Sequence, residues 1–455
     1  MTSTDRSDIE MQTKTIAPPS SPAHLSARAM AEALSKGEIT SVALVEACLD
    51  RIAARESDVR AWSFLDAASA LDQARAADAR RREGGQLGLL DGIPIGVKDV
   101  FDTADMPSEY GSAIYRGRRP VADAAAVALL RSAGAIIIGK TATSEFGMYH
   151  PSPTRNPHDL SRSPGVSSAG SAAAVVDHMV PLALATQHTA STTLPASFCG
   201  AVGFKPTRGF ADMTGSNILV PRLTNIAFMS RSVDDAAFFA AVFDPSLAAS
   251  VTHEHLAPPR IAFVRGPGWL HVAPDAAAAL EALLARIADT GASVGEATLP
   301  PDFDDALTVV MGLLDAHLAF RFGRLPPDDI AQLCPPLRDG IDKGRSISAP
   351  RYLELDAQAD RLTGLAAALF AEHDLLVTLS TPGEATRLED GPGSGVMSMP
   401  WSLCGLPTIS LPLLTGSNGL PIGVQLIAAQ GRDRYLLEAA SWFTAKAGSF
   451  NATKV

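Results

Sequence analysis

The stretch Ser163-Pro-Gly-Val-Ser-Ser-Ala-Gly-Ser171 runs through an alanine-rich segment to Thr186-Gln-His-Thr-Ala-Ser-Thr-Thr-Leu-Pro-Ala-Ser-Phe-Cys-Gly200 and on to Phe204-Lys-Pro-Thr207. Two clusters of small residues and hydroxyls flank a short helix and a short strand. Ser167 lies in one turn and Ser191 in the next. Small residues let backbone N–H groups approach a ligand closely, and a helix N-terminus adds a field that favours negative charge. Stabilising an oxyanion requires both. A Ser/Gly-rich loop without chemistry is the competing reading, and the rest of the chain has to decide between them.

Upstream, Gly92-Ile-Pro-Ile-Gly-Val-Lys-Asp-Val100 alternates like a strand, with Lys98 at its end. Residues 123–132 read as a helix, 135–139 as a buried strand, 170–178 as a helix and 180–186 as a strand. This alternation predicts an α/β fold whose mostly parallel or mixed sheet is covered on both faces. Nearer the N-terminus, amphipathic patterns predict helices over 26–35, 41–55 and 67–82, with Ser26 and Ser41 as N-caps and Gly37 as a stop. Downstream, 260–264 and 375–379 read as strands, 275–290 as a helix, 407–428 as two strands joined at 416–419, and 435–443 as a closing helix. The Gly/Pro-rich segment 381–400 is long enough to be a lid or substrate wall. The expected organisation is a disordered polar tail over 1–18 and one domain over 19–455, with a helix-rich variable region at about 245–400.

Composition narrows the function. Of the 455 residues, 46% are hydrophobic and 19% charged, which suits a large folded core. The formal net charge of −11 with no basic stripe argues against a nucleic-acid partner. Cys48, Cys199, Cys334 and Cys404 are far apart and form no CxxC pair, so reduced thiols in a cytoplasmic protein are expected, without a zinc site. No apolar run approaches the length of a membrane span, and no signal-peptide core is present at the N-terminus.

Two motifs mislead. Gly134-Ala-Ile-Ile-Ile-Gly-Lys-Thr141 matches the phosphate-loop pattern, but a helix precedes Gly134 and the residues between the glycines are an apolar β-branched run. They belong in a sheet. His188, three residues before Ser191, suggests a Ser–His pair, yet residues so close on a tight loop seldom align, and no acid is placed to orient the ring. Lys98 is the better candidate for a base. A lysine ending an apolar strand is usually a solvated edge residue, but a buried one loses its charge readily and can activate a serine directly or through a second hydroxyl.

Lys98 in Gly96-Val-Lys-Asp99, the Ser167-Ser168 pair, Ser191 and Phe198-Cys-Gly-Ala-Val-Gly-Phe-Lys-Pro-Thr207 together resemble the amidase signature family. The similarity runs from about Leu25 to Phe443 and includes Gly405-Leu-Pro-Thr-Ile-Ser-Leu-Pro412 and Gly419-Leu-Pro-Ile-Gly-Val-Gln425. It implies a large mixed β-sheet between helical layers, with Lys98 as base, Ser167 as a bridging serine on a cis peptide bond, and Ser191 as nucleophile. The backbone of His188, Thr189, Ala190 and Ser191 is expected to hold the oxyanion. Val166, Ala169 and Ala190 stand where the family usually has glycines; a Cβ at 190 is tolerable only if φ stays negative. Relatives carry Arg three residues after the nucleophile, and one group uses it to hold a substrate carboxylate; here the residue is Leu194.

The expected activity is therefore hydrolysis of a neutral, largely apolar or aryl amide, and of aryl carbamates, through an acyl-enzyme. Leu194, Tyr149, Met397 and Trp401 are the expected substrate wall, with Arg155 or Arg208 as alternative readers of the substrate. No metal or organic cofactor is implied, and a monomer or homodimer acting on a small molecule is expected. The competing functions are an amidotransferase A-type subunit working in a complex and a catalytically impaired binding protein.

Overall fold

A computed structural model describes residues 21–148, 150–252 and 254–447. The tail expected over 1–18 lies outside them. The strands are β1 (Trp62–Leu65), β2 (Pro94–Lys98), β3 (Ile136–Thr141), β4 (Leu182–Gln187), β5 (Val202–Lys205), β6 (Asn225–Ser230), β7 (Arg260–Val264), β8 (Ser293–Ala297), β9 (Leu375–Leu379), β10 (Thr408–Thr415) and β11 (Pro421–Ile427). They form one 11-stranded mixed sheet in the order β1-β3-β2-β4-β6-β5-β10-β11-β9-β7-β8. The parallel pairs are β3/β2, β2/β4, β9/β7 and β7/β8. Strands β2, β3 and β4 are buried at every position, as expected of parallel strands covered on both faces. The edge strand β8 is partly exposed and carries Glu296, which discourages pairing with another chain.

The phosphate-loop lookalike is strand β3. Its Lys140 is fully buried and donates to Phe101 O at 2.7 Å and Ser108 Oγ at 2.6 Å, beside Asp99 at 3.1 Å. It is committed to holding the following loop.

Three N-terminal helices, Ala27–Ser35, Ser41–Val59 and Ala67–Arg82, form as the pattern predicts. Ser26 caps the first by accepting from the Ala29 N–H. The second is capped by Thr40, not Ser41: Thr40 is extended and its Oγ1 accepts from the Ala43 N–H, while the Ser41 N–H is already taken by Asp78 at 2.7 Å. The Ala169–Val176 helix is buried on every side, which is why its residues are nearly all small or apolar. On the other face, Val233–Ala240, Pro274–Ala288 and Asp433–Ala447 cover the main apolar core. The helix-rich region expected in the middle of the chain includes Ala306–Phe322, Pro335–Arg345 and Ala349–Leu369, which share a second core with Phe146 and Trp401.

Candidate active site

Strand β2 delivers Lys98 to the carboxyl end of the parallel strands, next to the turn that opens the Ala169–Val176 helix. Lys98 is wholly buried, and its Nζ lies 2.5 Å from Ser167 Oγ and donates to Thr186 Oγ1 at 2.9 Å. Burial, with no carboxylate to compensate it, holds the Lys98 amine well below the ordinary lysine range. The neutral form, which has a lone pair to accept a proton, is thereby favoured.

The cis peptide bond expected at Ser167 is not found: every peptide bond among the described residues is trans. Ser167 instead adopts φ 72°, a conformation that L-residues rarely occupy and that costs about 1–3 kcal/mol. This left-handed backbone turns the hydroxyl toward Lys98.

Ser191, 6% exposed, sits on the turn between β4 and the Thr193–Cys199 helix. Thr186 ties the two serine turns together. Its carbonyl accepts from Ser168 Oγ at 3.2 Å and from Thr192 Oγ1 at 3.1 Å, and the Ser168 N–H donates to the Ser191 carbonyl at 3.2 Å. Lys98, Ser167 and the Ser191 turn are therefore brought to one place. Among the described residues, the N–H groups of Thr189, Ala190 and Ser191 donate to no protein acceptor. Ala190 is outside the set of residues with positive φ, so its methyl is accommodated as the sequence requires.

His188 is buried beside this pair. A Cβ built on Gly147 would lie 3.3 Å from Ser167 Oγ and 3.5 Å from His188 Cε1. Burial first, and Lys98 second, push the imidazole pKa down to about 3, so the ring is neutral and cannot be the group that titrates near neutrality. Neither ring nitrogen makes a hydrogen bond of good geometry; Asn217 Oδ1 and Ser144 Oγ are likewise buried without a partner. Gly147 and Phe146 belong to a short turn with positive φ. Its Glu145 carboxylate anchors it, accepting from Ser112 Oγ at 2.6 Å and the Cys334 N–H at 2.8 Å.

The residues expected to form the substrate wall are placed differently from one another. Tyr149 lies outside the described residues. Leu194, 3% exposed, packs with Ala190, Phe198, Ala385 and Leu420, and fills the space that Gly165 leaves: a Cβ there would meet Leu194 Cδ2 at 2.4 Å. Trp401, 1% exposed, packs against Phe303 with ring centroids 6.1 Å apart. Met397 is 4% exposed and packs beside Gly268. Interior packing accounts for all three. Arg155 donates to Leu160 O, and Arg208 to Arg222 O and Leu403 O. The Gly/Pro-rich segment does reach the Ser191 turn. A Cβ on Gly395 would stand 2.6 Å from Ala190 Cβ, and one on Gly393 would stand 2.5 Å from the Phe198 ring.

Sequence reasoning missed Thr186, Gln187, Glu145 and Ser402. Thr186 is the one with a local signal, a polar residue ending an apolar strand just before a serine turn. Among the described residues, no three His, Cys, Asp or Glu side chains converge to hold a metal ion, and no helix is long and apolar enough to cross a membrane.

The family model described as Amidase matches residues 43–437. The A-type subunit of glutamyl-tRNA(Gln) amidotransferase from Roseiflexus castenholzii is 35% identical, over 89% of this chain and 92% of that protein. A solved amidase structure is 28% identical, with a TM-score of 0.85 over 93% of this chain and 100% of its own. A peptide amidase from Stenotrophomonas maltophilia is 27% identical, with a TM-score of 0.81 over 94% of this chain and 98% of its own.

Proposed function

We propose that this chain, which belongs to the Amidase family, hydrolyses the C–N bond of neutral, largely apolar or aryl amides, and of aryl carbamates as well. The observation that carries the reading is the 2.5 Å contact between a wholly buried Lys98 and Ser167 Oγ. In the proposed reaction Ser191 Oγ attacks the carbonyl carbon. Its proton passes to Ser167 Oγ as Ser167 gives its own to neutral Lys98. The tetrahedral oxyanion is held by the free N–H groups of the 189–191 turn. The C–N bond breaks as the leaving amine takes a proton back along the same path. Water, deprotonated by the same relay, then opens the acyl-enzyme and releases the acid.

A neutral substrate is supported by what surrounds the pair. His188 is uncharged, and Leu194 beside the Ser191 turn offers no charge. Arg321, the guanidinium whose charge reaches His188, is engaged with Ile218 O, so a carboxylate buried there without a paired cation would lose on the order of several kcal/mol of hydration. A carbamate presents the same planar carbonyl to Ser191. We read the four unpaired, buried cysteines as fitting a reducing cytoplasm, and the protein as acting on its own or as a homodimer.

The similarity to amidotransferase subunits supports a second reading, action within a complex. Purified chain assayed alone on matched acetanilide, aryl carbamate and malonamate-type substrates separates them. The proposal expects hydrolysis of the first two with higher kcat/KM than the third. No turnover without a partner subunit favours the second reading, and a preference for the carboxylate-bearing substrate overturns the neutral-substrate assignment.

A further inference from the structure

The peptide joining Thr189 to Ala190 is held from its carbonyl side. Ser402, in the Met399–Leu403 helix, donates its hydroxyl to Thr189 O at 2.6 Å and accepts from Gln187 Nε2 at 3.0 Å. One hydroxyl proton and one accepted bond fix its orientation fully. At its other end, Gln187 Oε1 accepts from the Thr192 and Thr193 N–H groups, both at 3.0 Å. Gln187, Thr192 and Thr193 are all at 0% exposure and Ser402 at 3%, so water does not compete for these bonds. A second brace runs from Thr193 Oγ1 to Ser398 Oγ at 2.8 Å and from Ser398 Oγ to Gln425 Oε1 at 2.9 Å.

Two consequences follow from peptide geometry. In a trans peptide the C=O and N–H point in opposite directions, so pinning Thr189 O aims the Ala190 N–H the other way. The first amides of the Thr193–Cys199 helix are consumed by Gln187, so they are not the donors for an anion. The 189–191 turn retains free N–H groups, and the direction of the Ala190 N–H is set by Ser402.

We propose that Ser402 and Gln187 are positioning residues for the oxyanion donor, aiming the Ala190 N–H at the substrate oxygen by holding the opposite side of its peptide. The inference rests on Ser191 being the nucleophile. Neither side chain touches substrate; both act through the Thr189–Ala190 peptide.

The test compares wild type, Ser402→Ala and Ser402→Thr. It reads kcat and KM on acetanilide, the rate at which an alkyl fluorophosphonate labels Ser191 by intact mass, and the thermal unfolding midpoint. Ser402→Ala should lower kcat by about 10–100-fold, somewhat less than deleting an oxyanion donor outright. KM should stay within about 3-fold, because the bond acts on the transition state and not on ground-state binding. Labelling, which also develops charge on an oxygen in this turn, should slow in parallel, and Ser402→Thr should restore both. If Ser402→Ala does not fold cooperatively, Ser402→Cys makes the same comparison with a similar volume and a weak donor. Unchanged kcat and labelling in a folded Ser402→Ala variant, or a rise in KM as large as the fall in kcat, overturns the positioning role while leaving Ser191 as nucleophile. Wild-type protein that is not labelled at Ser191 overturns the parent reading, and this one with it.

Discussion

Lys98 carries two opposed requirements, to be buried and to reach a hydroxyl. Its amine is surrounded by Ser167 Oγ and Thr186 Oγ1 and by no carboxylate, so the folded protein disfavours the ammonium. Activity should therefore climb with pH, level off below the ordinary lysine range and persist in alkaline solution, which a pH–rate profile checks. Ser191→Ala, Ser167→Ala and Lys98→Ala should each lower kcat by at least roughly 10³-fold, with non-additive losses in combination, because the proposed relay uses the three as one unit. Near-native turnover by Lys98→Ala would rule the relay out. The same burial has a signature in stability. With the folded pKa below the unfolded one, the unfolded chain holds a proton that the folded chain lacks at any pH between them. Stability from this group is thus lowest in acid and rises with pH through that window, by about 1.4 kcal/mol per unit. Lys98→Met should remove that slope. Urea unfolding from pH 7 to 10 should show its stability relative to wild type falling as pH rises.

At the scale of elements, the Ser191 turn is placed by how closely the Thr193–Cys199 helix lies on the sheet. Gly203 of β5 makes the approach possible: a Cβ there would stand 2.6 Å from Ala196 Cβ and 3.1 Å from Thr192 O. Gly203→Val should push the helix outward, destabilise the protein by about 1–3 kcal/mol as overpacking does, and lower kcat through the displaced turn. Urea denaturation and steady-state kinetics check the two effects separately. The local elements were well written in the sequence. Strands β2, β7 and β9 and the Ala67–Arg82 helix are signalled by their own periodicity and capping residues. Strand β1 was not, being four residues long and starting just after Arg60 turns left-handed. The site divides the same way. Lys98, Ser167 and Ser191 show through local context and resemblance. The Ser402–Thr189 bond spans 213 residues, and nothing local marks either partner. Leu194 was legible as apolar, but the space it fills is made by Gly165 on another turn.

Across the whole molecule, the site's helix is anchored to the outer layer by charge. Asp177, just past the end of Ala169–Val176, is fully buried and paired with Arg51 and with Arg55 Nε at 2.9 Å, both from the Ser41–Val59 helix. Removing one side of such a pair leaves the other charges poorly solvated. Asp177→Asn should reduce unfolding free energy by about 3 kcal/mol, the low end for a broken buried pair because both arginines keep some water. The Ser167 turn, at the far end of the helix, is held independently by Thr186, so kcat in the folded variant should change little. Denaturant unfolding alongside kcat separates the two.

The glycine at 395 has a meaning that only residue 190 supplies. Between the covering loop and the Ser191 turn there is room for one methyl group, and Ala190 holds it. Gly395 lies outside the left-handed region, so alanine is sterically refused there by Ala190 and not by its own backbone. The two positions behave as one site with a single methyl to place. Gly395→Ala should impair turnover, and Ala190→Gly should leave a gap above the turn. The double exchange, which moves the methyl from one segment to the other, should recover much of what each loses, with a coupling of at least about 0.5–1 kcal/mol in a double-mutant cycle of kcat/KM. A glycine restored at 190 is therefore half of a substitution, and the other half lies 205 positions along the chain.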